Sequence, residues 1–356
     1  MNFKKTTKIK DLLDFCGPLG TEIHGDENLE VSFFGTPDCQ VENSLAFINN
    51  PKLIDTLENS KVVAAIAPVK MKEVLTSQSK KTFLFSPNPD LAAREIKKQF
   101  VLNTPYKAPS SGIHKTAVID ESAELASDVS VGPYAVIGKN VKIASGSFVG
   151  SNAVIEENVS IGSNTTIHPL AYVGHSCEIG NDCEIKPHAV IGSEGFGYAH
   201  DHLGNHYRIP HSGKVILEND VHIGAGSAID RGTIEDSVIK QGCKIDNHVH
   251  LAHNTVLGKN GIITAQVVTA GSTTIGDNFI CGGKTAITGH ITVADNVNVA
   301  GFSGVSKSVD KPGQYGGYPL QPLKQHLKTK ASSVHIPEMR KQLNKVLKKL
   351  FPEDYN

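Results

Sequence analysis

Two histidines and a glycine in the second half of the chain have a spacing that could support acid–base chemistry. Gly271 stands between His253 and His290, at the eighteenth position after the first histidine and the nineteenth before the second. A neutral imidazole can take a proton from a nucleophile, and a backbone N–H can stabilise an oxyanion, provided that the two groups meet. Whether they meet depends on the fold around them.

A six-residue repeat surrounds these residues. Every sixth position from Ile113 to Ile191 holds a branched aliphatic residue, fourteen in succession, and ten of the twelve such positions from Ile239 to Val305 hold Ile, Leu or Val. A short fixed period with an aliphatic lead residue is typical of a solenoid, here the left-handed parallel β-helix with three hexapeptides in each coil. We therefore predict a mostly β fold, with residues 113–308 forming this helix.

The predicted coils give the three residues a common position. Residues one coil apart would lie above one another at about 4.8 Å, the spacing of paired strands. The separation of the histidines is then two coils plus one residue, so that His253, Gly271 and the Gly289-His290 pair fall close to one line. This arrangement predicts an acyl-transfer site: His253 as the base, the Gly271 N–H facing an oxyanion, and His290 holding a phosphate or polarising the same centre.

Other elements flank and interrupt the repeat. Alternating apolar runs and helical patterns predict an α/β domain over residues 1–105, followed by a linker at 106–112 and, after the repeat, a C-terminal α-helical segment at 309–356. The period breaks at 197–215 and more briefly at 233–238. Because the first break is polar and rich in histidine, we expect it to project as a loop, where binding residues concentrate.

Composition narrows the class of protein. A net charge of −1 argues against a nucleic-acid-binding protein, which is normally strongly basic. The six cysteines contain no CxxC pair, which favours free thiols in a reducing compartment. Neither a signal peptide nor an apolar run of about 20 residues is present. We expect a cytoplasmic protein without stable membrane insertion.

The C-terminal segment ends in an amphipathic helix. Met339, Leu343, Val346 and Leu350 form one apolar stripe, which must pack on the preceding segment or on copies of itself. From Lys324 onward, the chain contains eight basic residues and three acidic residues. Such a run is either a solvated face or a docking site for an acidic partner.

The motifs of the chain resemble those of a known family. The chain is similar to the UDP-3-O-acylglucosamine N-acyltransferases of lipid A biosynthesis over almost its whole length, through motifs that occur in the same order: GSEGFGYA, Ile209-Pro210, AIDRGTIEDSVI, KIDN, LAHN, AGSTTIG, GGKTAITGH and GYPLQP. The related UDP-N-acetylglucosamine O-acyltransferases share the hexapeptide helix but lack this kind of N-terminal domain.

The resemblance implies a reaction and its residues. A 3-hydroxyacyl chain would pass from the phosphopantetheine thioester of acyl carrier protein to the 2-amine of UDP-3-O-acylglucosamine, with no further cofactor and no metal. His253 would be the general base, His290 would assist at the thioester or the nucleotide phosphates, and the Gly271 N–H would donate to the oxyanion. Asp246 of KIDN would contact the glucosamine. The family also implies a homotrimer.

Three regions depart from the family pattern. The uracil motif Phe-x-x-Asn-x-x-Tyr is matched by Phe47 and Asn50, but Leu53 replaces the tyrosine. The two family glutamines between KIDN and LAHN are His248 and His250 here. Near AGFSGVS, at the acyl-measuring region, the chain carries Gly304 and Ser306 where some members carry Met, which predicts room for a long acyl chain.

Other functions are compatible with parts of the sequence. A zinc-dependent hydratase of the γ-carbonic anhydrase type is also a hexapeptide trimer, and the crowded histidines of DNHVHLAH could suit it. A non-catalytic paralogue could use the predicted β-helix as a scaffold. A third alternative keeps the chemistry and changes the acceptor to another UDP-amino sugar. Asp230 and Arg231 could bind substrate or form an ion pair that shapes the second break.

Overall fold

The structure is a computed structural model that describes residues 1–16, 19–101, 112–317 and 323–351. The chain divides into two compact units, Met1–Lys107 and Ala108–Asn356. The linker predicted at 106–112 falls almost entirely outside the described residues.

The N-terminal unit is a six-stranded sheet covered by helices on both faces. The elements are, in chain order, β1 Asn2–Lys8, α1 Ile9–Cys16, β2 Glu22–His24, β3 Glu30–Gly35, β4 Ser44–Phe47, α2 Ile54–Glu58, β5 Val62–Pro68, α3 Lys72–Gln78, β6 Thr82–Ser86 and α4 Pro89–Phe100. The sheet order is β1-β3-β4-β5-β6-β2, parallel from β3 to β6 and antiparallel at both edges. Helices α1 and α4 pack on one core, and α2 and α3 on the other. The predicted α/β class is confirmed.

The second unit is a left-handed parallel β-helix with three faces, as the hexapeptide period predicts. The first face contains the strands Val118–Ile119, Val136–Ile137, Val154–Ile155, Tyr172–Val173, Val190–Ser193, Ala228–Asp230, His250–Leu251, Val268–Thr269, Ala286–Ile287 and Gly304–Val305. The second contains Glu124–Leu125, Lys142–Ile143, Ser160–Ile161, Glu178–Ile179, Val215–Leu217, Ser237–Ile239, Val256–Leu257, Thr274–Ile275 and Thr292–Val293. The third contains Ser130–Val131, Phe148–Val149, Thr166–Ile167, Glu184–Ile185, His222–Ile223, Lys244–Ile245, Ile262–Ile263, Ile280–Cys281, Val297–Val299 and Gly313–Tyr315.

Each coil repeats the register of the one before it. Val136 pairs with Val154 and Ile137 with Ile155, a step of three hexapeptides that recurs along the regular coils. In each two-residue strand the lead aliphatic points inward, and these side chains form one continuous buried column. Full burial of such a side chain stabilises the fold by about 1.5–3 kcal/mol relative to exposure. The last paired strand, Gly313–Tyr315, lies beyond residue 308.

The corners between faces use left-handed backbone conformations. Asn158, Asn254, Ser272 and His290 have φ of 58° or 59°, a region that Asn tolerates better than most residues. The backbone N–H at such a corner donates to the coil before it; that of Asn158, for example, reaches the carbonyl of Lys139 at 2.8 Å. These bonds fix the position of one corner above the next.

Two excursions leave the helix where the period breaks. The first contains an antiparallel hairpin, Tyr198–His200 paired with His206–Arg208, whose residues are exposed. Across this excursion Glu178 pairs with Ile216, whereas three hexapeptides would reach only Phe196, so twenty extra residues are inserted into one coil. The second excursion adds four, since Leu217 pairs with Ile239. Both predicted breaks are confirmed.

Two helices follow the β-helix, α5 Leu323–Ser333 and α6 Ile336–Leu350. The amphipathic pattern predicts α6, and α5 lies within the α-helical segment predicted at 309–356. The apolar stripe of α6 is exposed within the single chain, including Met339 at 61% and Leu343 at 57%. None of the helices in the described part of the chain combines the length and apolarity needed to cross a membrane. All six cysteines are free thiols.

Candidate active site

His253 and Gly271 lie against each other at the corner between the first and second faces. A Cβ atom placed on Gly271 would be 2.5 Å from Nε2 and 2.9 Å from Nδ1 of His253. The imidazole therefore rests directly on the Cα of Gly271, one coil further along the helix. No other residue could occupy position 271 without displacing the ring, because real Cβ atoms do not approach this closely.

Asn254 fixes the tautomer of His253. Its amide nitrogen donates to the carbonyl of Glu235 at 2.8 Å, and its Oδ1 accepts from the backbone N–H of Thr233 at 3.0 Å. With the amide held in this orientation, Oδ1 is an acceptor, and it lies 3.0 Å from Nδ1 of His253. The ring must place its proton on Nδ1, which leaves an unprotonated Nε2 over Gly271. A histidine in this state is ready to act as a base.

The backbone around Gly271 presents a free donor. In the described part of the chain, the N–H groups of Ala270 and Ser272 bond to Ile287 and His253, whereas the N–H of Gly271 donates to no other group. His290 contributes its own N–H, which donates to the carbonyl of Gly271 at 3.1 Å. The corner thus holds the glycine in place and leaves one amide donor beside the base.

His290 is placed differently from His253. It occupies the left-handed corner position above Ser272 and Asn254, and Gly289 is the residue that stacks in line with Gly271 and His253. Its imidazole is exposed to solvent. The structure therefore brings His290 to the same corner, two coils along, with its ring available to a ligand.

A buried carboxylate lies beside His253. Asp230 is 6% exposed; its Oδ1 accepts from Ser193 Oγ at 2.7 Å, and its Oδ2 is 3.6 Å from Nε2 of His250. Burial raises the pKa of Asp230 above its ordinary value, whereas the hydrogen bond from Ser193 and the nearby His250, His253 and His211 act in the opposite direction. Negative charge thus faces several histidines at this corner.

Asp230 and Arg231 do not pair with each other in the described structure. Arg231 is 1% exposed and donates to the carbonyl of Gly192 at 2.9 Å and to the ring Nε2 and the carbonyl of His175 at 2.7 and 2.8 Å. Arg231 therefore joins its own coil to the two coils before it. The ion-pair interpretation of these two residues is wrong, because backbone carbonyls and a neutral imidazole satisfy the guanidinium.

Asp246 occupies another corner, between the third and first faces. Its exposed carboxylate accepts from the N–H groups of Asn247 at 2.7 Å and Ala265 at 3.1 Å. The strand His250–Leu251 separates it from His253, and no described contact joins the two side chains. Within one chain, Asp246 is a substrate-facing candidate that stands apart from the base.

The nucleotide-motif residues lie in the N-terminal unit. Phe47 is half-buried against the core under α1 and α4 and lines a surface cavity of about 610 Å³ with Arg94, Lys97 and Lys98. Asn50 caps a turn by accepting from the N–H of Lys52 at 3.0 Å. Leu53 packs against the other core of the sheet. Leu53 and Phe47 therefore do not form two walls of one aromatic clamp.

The region predicted to measure the acyl chain is open. Gly304 and Ser306 line a cavity of about 450 Å³ at the C-terminal end of the β-helix. A Cβ on Gly304 would meet no atom within 4 Å. Among the described residues of one chain, no group of three or more His, Cys, Asp or Glu side chains is arranged to hold a metal ion.

Sequence reasoning missed three residues at this site, namely Asn254, Thr233 and His211, and it left the role of Asp230 open. Asn254 adjoins His253 in LAHN, and that proximity was the available signal. Its role, however, depends on Thr233 and Glu235, which only the second excursion brings near. No period predicts where an excursion folds.

Comparison with known proteins places the chain. A family model described as the GMPPB C-terminal domain matches residues 113–197, within the repeats. A solved structure of an Arabidopsis UDP-N-acetylglucosamine acyltransferase superposes with a TM-score of 0.53 at 24% identity, over 68% of this chain and 84% of that one. This match supports the fold alone. The fold is that of the left-handed β-helix, hexapeptide-repeat proteins.

Sequence relatives are more specific. The UDP-3-O-acylglucosamine N-acyltransferase of Methylococcus capsulatus is 38% identical over 342 residues, 96% of each chain. That of Wolinella succinogenes is 40% identical over 144 residues, so there the match spans 40% of this chain and 45% of the relative. The chain belongs to the family of UDP-3-O-acylglucosamine N-acyltransferases. It is an N-acyltransferase.

Proposed function

We propose that the protein transfers a 3-hydroxyacyl chain from acyl carrier protein to the 2-amine of UDP-3-O-acylglucosamine in lipid A biosynthesis, with His253 as general base. One observation carries the proposal: Asn254 fixes the His253 tautomer so that Nε2 faces the unbonded amide of Gly271. A base beside an amide donor is what acyl transfer to an amine requires. The cytoplasm, where we place the reaction, would supply the acyl carrier.

The first half of the reaction uses both groups. The amine nitrogen attacks the thioester carbonyl carbon and forms the C–N bond, while Nε2 of His253 takes a proton from the nitrogen. The carbonyl oxygen becomes an oxyanion, which accepts from the N–H of Gly271. Because that amide is held rigidly, no reorganisation is needed when the charge develops.

The second half returns the proton. The tetrahedral intermediate collapses, the C–S bond breaks, and the leaving sulfur of the phosphopantetheine takes the proton from the His253 imidazolium. The products are an amide and a free thiol. His290, exposed at the same corner, would steady the thioester or a phosphate of the nucleotide. The thioester is already activated, so the proposal calls for neither ATP nor a metal.

The acceptor calls for contacts to its sugar and to its uracil. Asp246 would contact the glucosamine, and Phe47 with Asn50 would receive the uracil. The support is the exposure of the Asp246 carboxylate and the basic cavity beside Phe47. Since Leu53 packs into a core, we expect the uracil to stack on one ring rather than between two.

Two surfaces support the proposed partners. The exposed basic residues of α5 and α6 suit the acidic surface of an acyl carrier protein, and such a contact makes the Michaelis constant rise with salt.

The outward residues of the first face are uncharged apart from a histidine: Val118, Val136, Val154, Tyr172, Val190, Ala228, His250, Val268, Ala286 and Gly304. We propose that this face packs on neighbouring copies in a homotrimer. In analytical ultracentrifugation, Val268→Lys should dissociate the trimer. The control Thr274→Lys, on the second face, should leave the trimer intact.

A transfer assay tests the function. Purified protein is given acyl carrier proteins of several chain lengths and, as acceptors, UDP-3-O-acylglucosamine or a 2,3-diamino UDP sugar. We expect transfer to the first acceptor and a loss of about 10²–10⁴-fold in His253→Ala. The control His200→Ala changes an exposed hairpin residue and should keep full turnover. Near-normal turnover in His253→Ala refutes the base, and preference for the diamino sugar refutes the acceptor.

A further inference from the structure

His211 is a buried histidine with one unused nitrogen. The residue follows the hairpin of the first excursion and is 5% exposed. Its Nδ1 lies 2.9 Å from the carbonyl of Ile209, and its buried Nε2 has no hydrogen-bond partner in the described structure. A carbonyl oxygen can only accept, so the proton sits on Nδ1 and Nε2 is a bare acceptor. A doubly protonated ring would instead bury an unpaired donor and a charge, which costs more.

This ring packs on the proposed base. The imidazoles of His211 and His253 meet edge to face, with centroids 5.4 Å apart and planes at 75°. Gly195, also in the first excursion, packs against both histidines. A Cβ placed on Gly195 would be 2.8 Å from Nε2 of His211 and 2.7 Å from Cβ of His253. The base is therefore held between Gly195 and His211 on one side and Gly271 on the other.

A buried acceptor without a partner destabilises the resting protein. The situation changes when His253 takes a proton, because positive charge then develops next to the His211 ring, whose Nε2 lone pair has no hydrogen-bond partner in the described structure. An interaction that is favourable only after proton transfer lowers the barrier rather than strengthening substrate binding. The arrangement of the two rings fits that purpose.

We propose that His211 is a positioning residue for His253: it holds the ring against Gly271 and, by remaining neutral, stabilises the imidazolium formed during acyl transfer. This inference rests on the proposed role of His253 as the base. The other ionisable groups facing the pair are Asp230 and, through its carboxylate, His250. They are the same in all the variants below.

The test compares two substitutions. His211→Phe keeps a ring of similar size without either nitrogen, and His211→Gln keeps an amide that can serve Ile209 and still offer an acceptor. In His211→Phe we expect kcat to fall about tenfold with both Michaelis constants unchanged. The acid limb of the kcat/KM profile should move to lower pH, because the imidazolium has lost a stabilising neighbour. His211→Gln should restore most of kcat and most of the wild-type position of the acid limb. The control His200→Phe, on the exposed hairpin, should match the wild type.

A measurement on the unaltered protein makes the proposal independent of folding. Histidine ¹⁵N NMR of the resting protein should find the proton of His211 on Nδ1 and its Nε2 unprotonated. A His211 protonated on Nε2 in that spectrum overturns the proposal, as does a His211→Phe enzyme with a wild-type profile, or a His211→Gln enzyme as impaired as His211→Phe. If His253→Ala is active, the proposed function has failed; if it is inactive and His211→Phe is normal, this inference alone has failed.

Discussion

Gly271 and His253 touch so closely that the absence of a side chain at one residue determines the position of the other. The ring of His253 occupies the space that a Cβ on Gly271 would need, 2.5 Å from Nε2. Base and amide donor are therefore positioned by a single contact between adjacent coils. This relationship gives the first prediction.

Gly271→Ala should inactivate the enzyme without unfolding it. The added methyl pushes the imidazole away from the amide, and loss of one oxyanion donor alone typically lowers kcat about 10²–10³-fold. Crowding of this kind costs about 1–3 kcal/mol of stability. Steady-state kinetics and thermal unfolding check both effects.

The matched control is Gly261→Ala. There the new Cβ would meet only the flexible end of the Leu257 side chain, at 3.1 Å. Activity should stay near that of the wild type. An active Gly271→Ala enzyme would show that the ring of His253 does not need its position over Gly271.

Asn254→Gly should impair catalysis through the tautomer of His253. Glycine accepts the left-handed backbone at this corner, where φ is 59°, so the change removes the side chain without adding strain. Without Oδ1, the described partner left to Nδ1 of His253 is the hydroxyl of Thr233 at 3.4 Å, which can also donate. The proton of His253 is then free to move to Nε2, and kcat should fall at least about tenfold.

A second corner supplies the comparison for this prediction. Asn260 has φ of 56°, and its amide pairs with that of Asn278 far from the base. Asn260→Gly should alter stability to a similar degree and leave kcat intact. Equal kinetic effects of the two substitutions would contradict a specific role for Asn254.

Asp230→Asn should stabilise the protein at neutral pH. Burial raises the folded-state pKa of Asp230 above the ordinary 3.8, so the folded protein holds this proton more tightly than the unfolded chain. The stability contributed by protonated Asp230 is present below the ordinary value and is lost as pH rises through the raised folded-state pKa. Asparagine does not titrate and can still accept from Ser193.

Urea unfolding at several pH values follows this effect. The variant and the wild type should differ least near pH 3.5, and the variant should gain relative stability as pH rises towards 7. A variant that is less stable at pH 7 would mean that the surrounding histidines stabilise the carboxylate more than burial penalises it.

Gly304→Met should shorten the preferred acyl chain. The glycine lines an open cavity, and its missing side chain leaves free space. A methionine there would fill part of the volume, and each methylene excluded from an apolar site costs about 0.8 kcal/mol. Competition among acyl carrier proteins of different chain length measures the shift. An unchanged preference would place the end of the acyl chain elsewhere.

The sequence predicts the β-helix well because one local rule, an aliphatic at every sixth position, is repeated in almost every coil. It also places His253 and Gly271 together, since their separation equals one coil. In the N-terminal unit it misses β1 and β2, which are short or polar edge strands, and α3, whose apolar residues are few. Strand β1 buries only Phe3 and Thr7, and β2 has three residues of which none is buried, so neither carries an apolar pattern that the sequence could show.

The parts of the site that the sequence does not predict come from the excursions. His211 and Gly195 reach His253 only because the first excursion folds back on the helix, and Asn254 is held by Glu235 of the second. Such contacts depend on loop closure rather than on a period. The absence of a contact between Asp246 and His253 within one chain could likewise not be read from KIDN and LAHN.

The excursions also show that position along the axis follows the number of rungs and not the number of residues. Glu178 and Ile216 are separated by more than six hexapeptides of sequence, yet they pair as directly as Val136 and Val154. The described contacts of His253 all involve residue 195 or later. Removing one whole coil, residues 136–153, would therefore shorten the β-helix by one strand spacing of about 4.8 Å. The corner that holds His253 would be unaltered. The length of this β-helix can thus change in whole coils without a change at that corner.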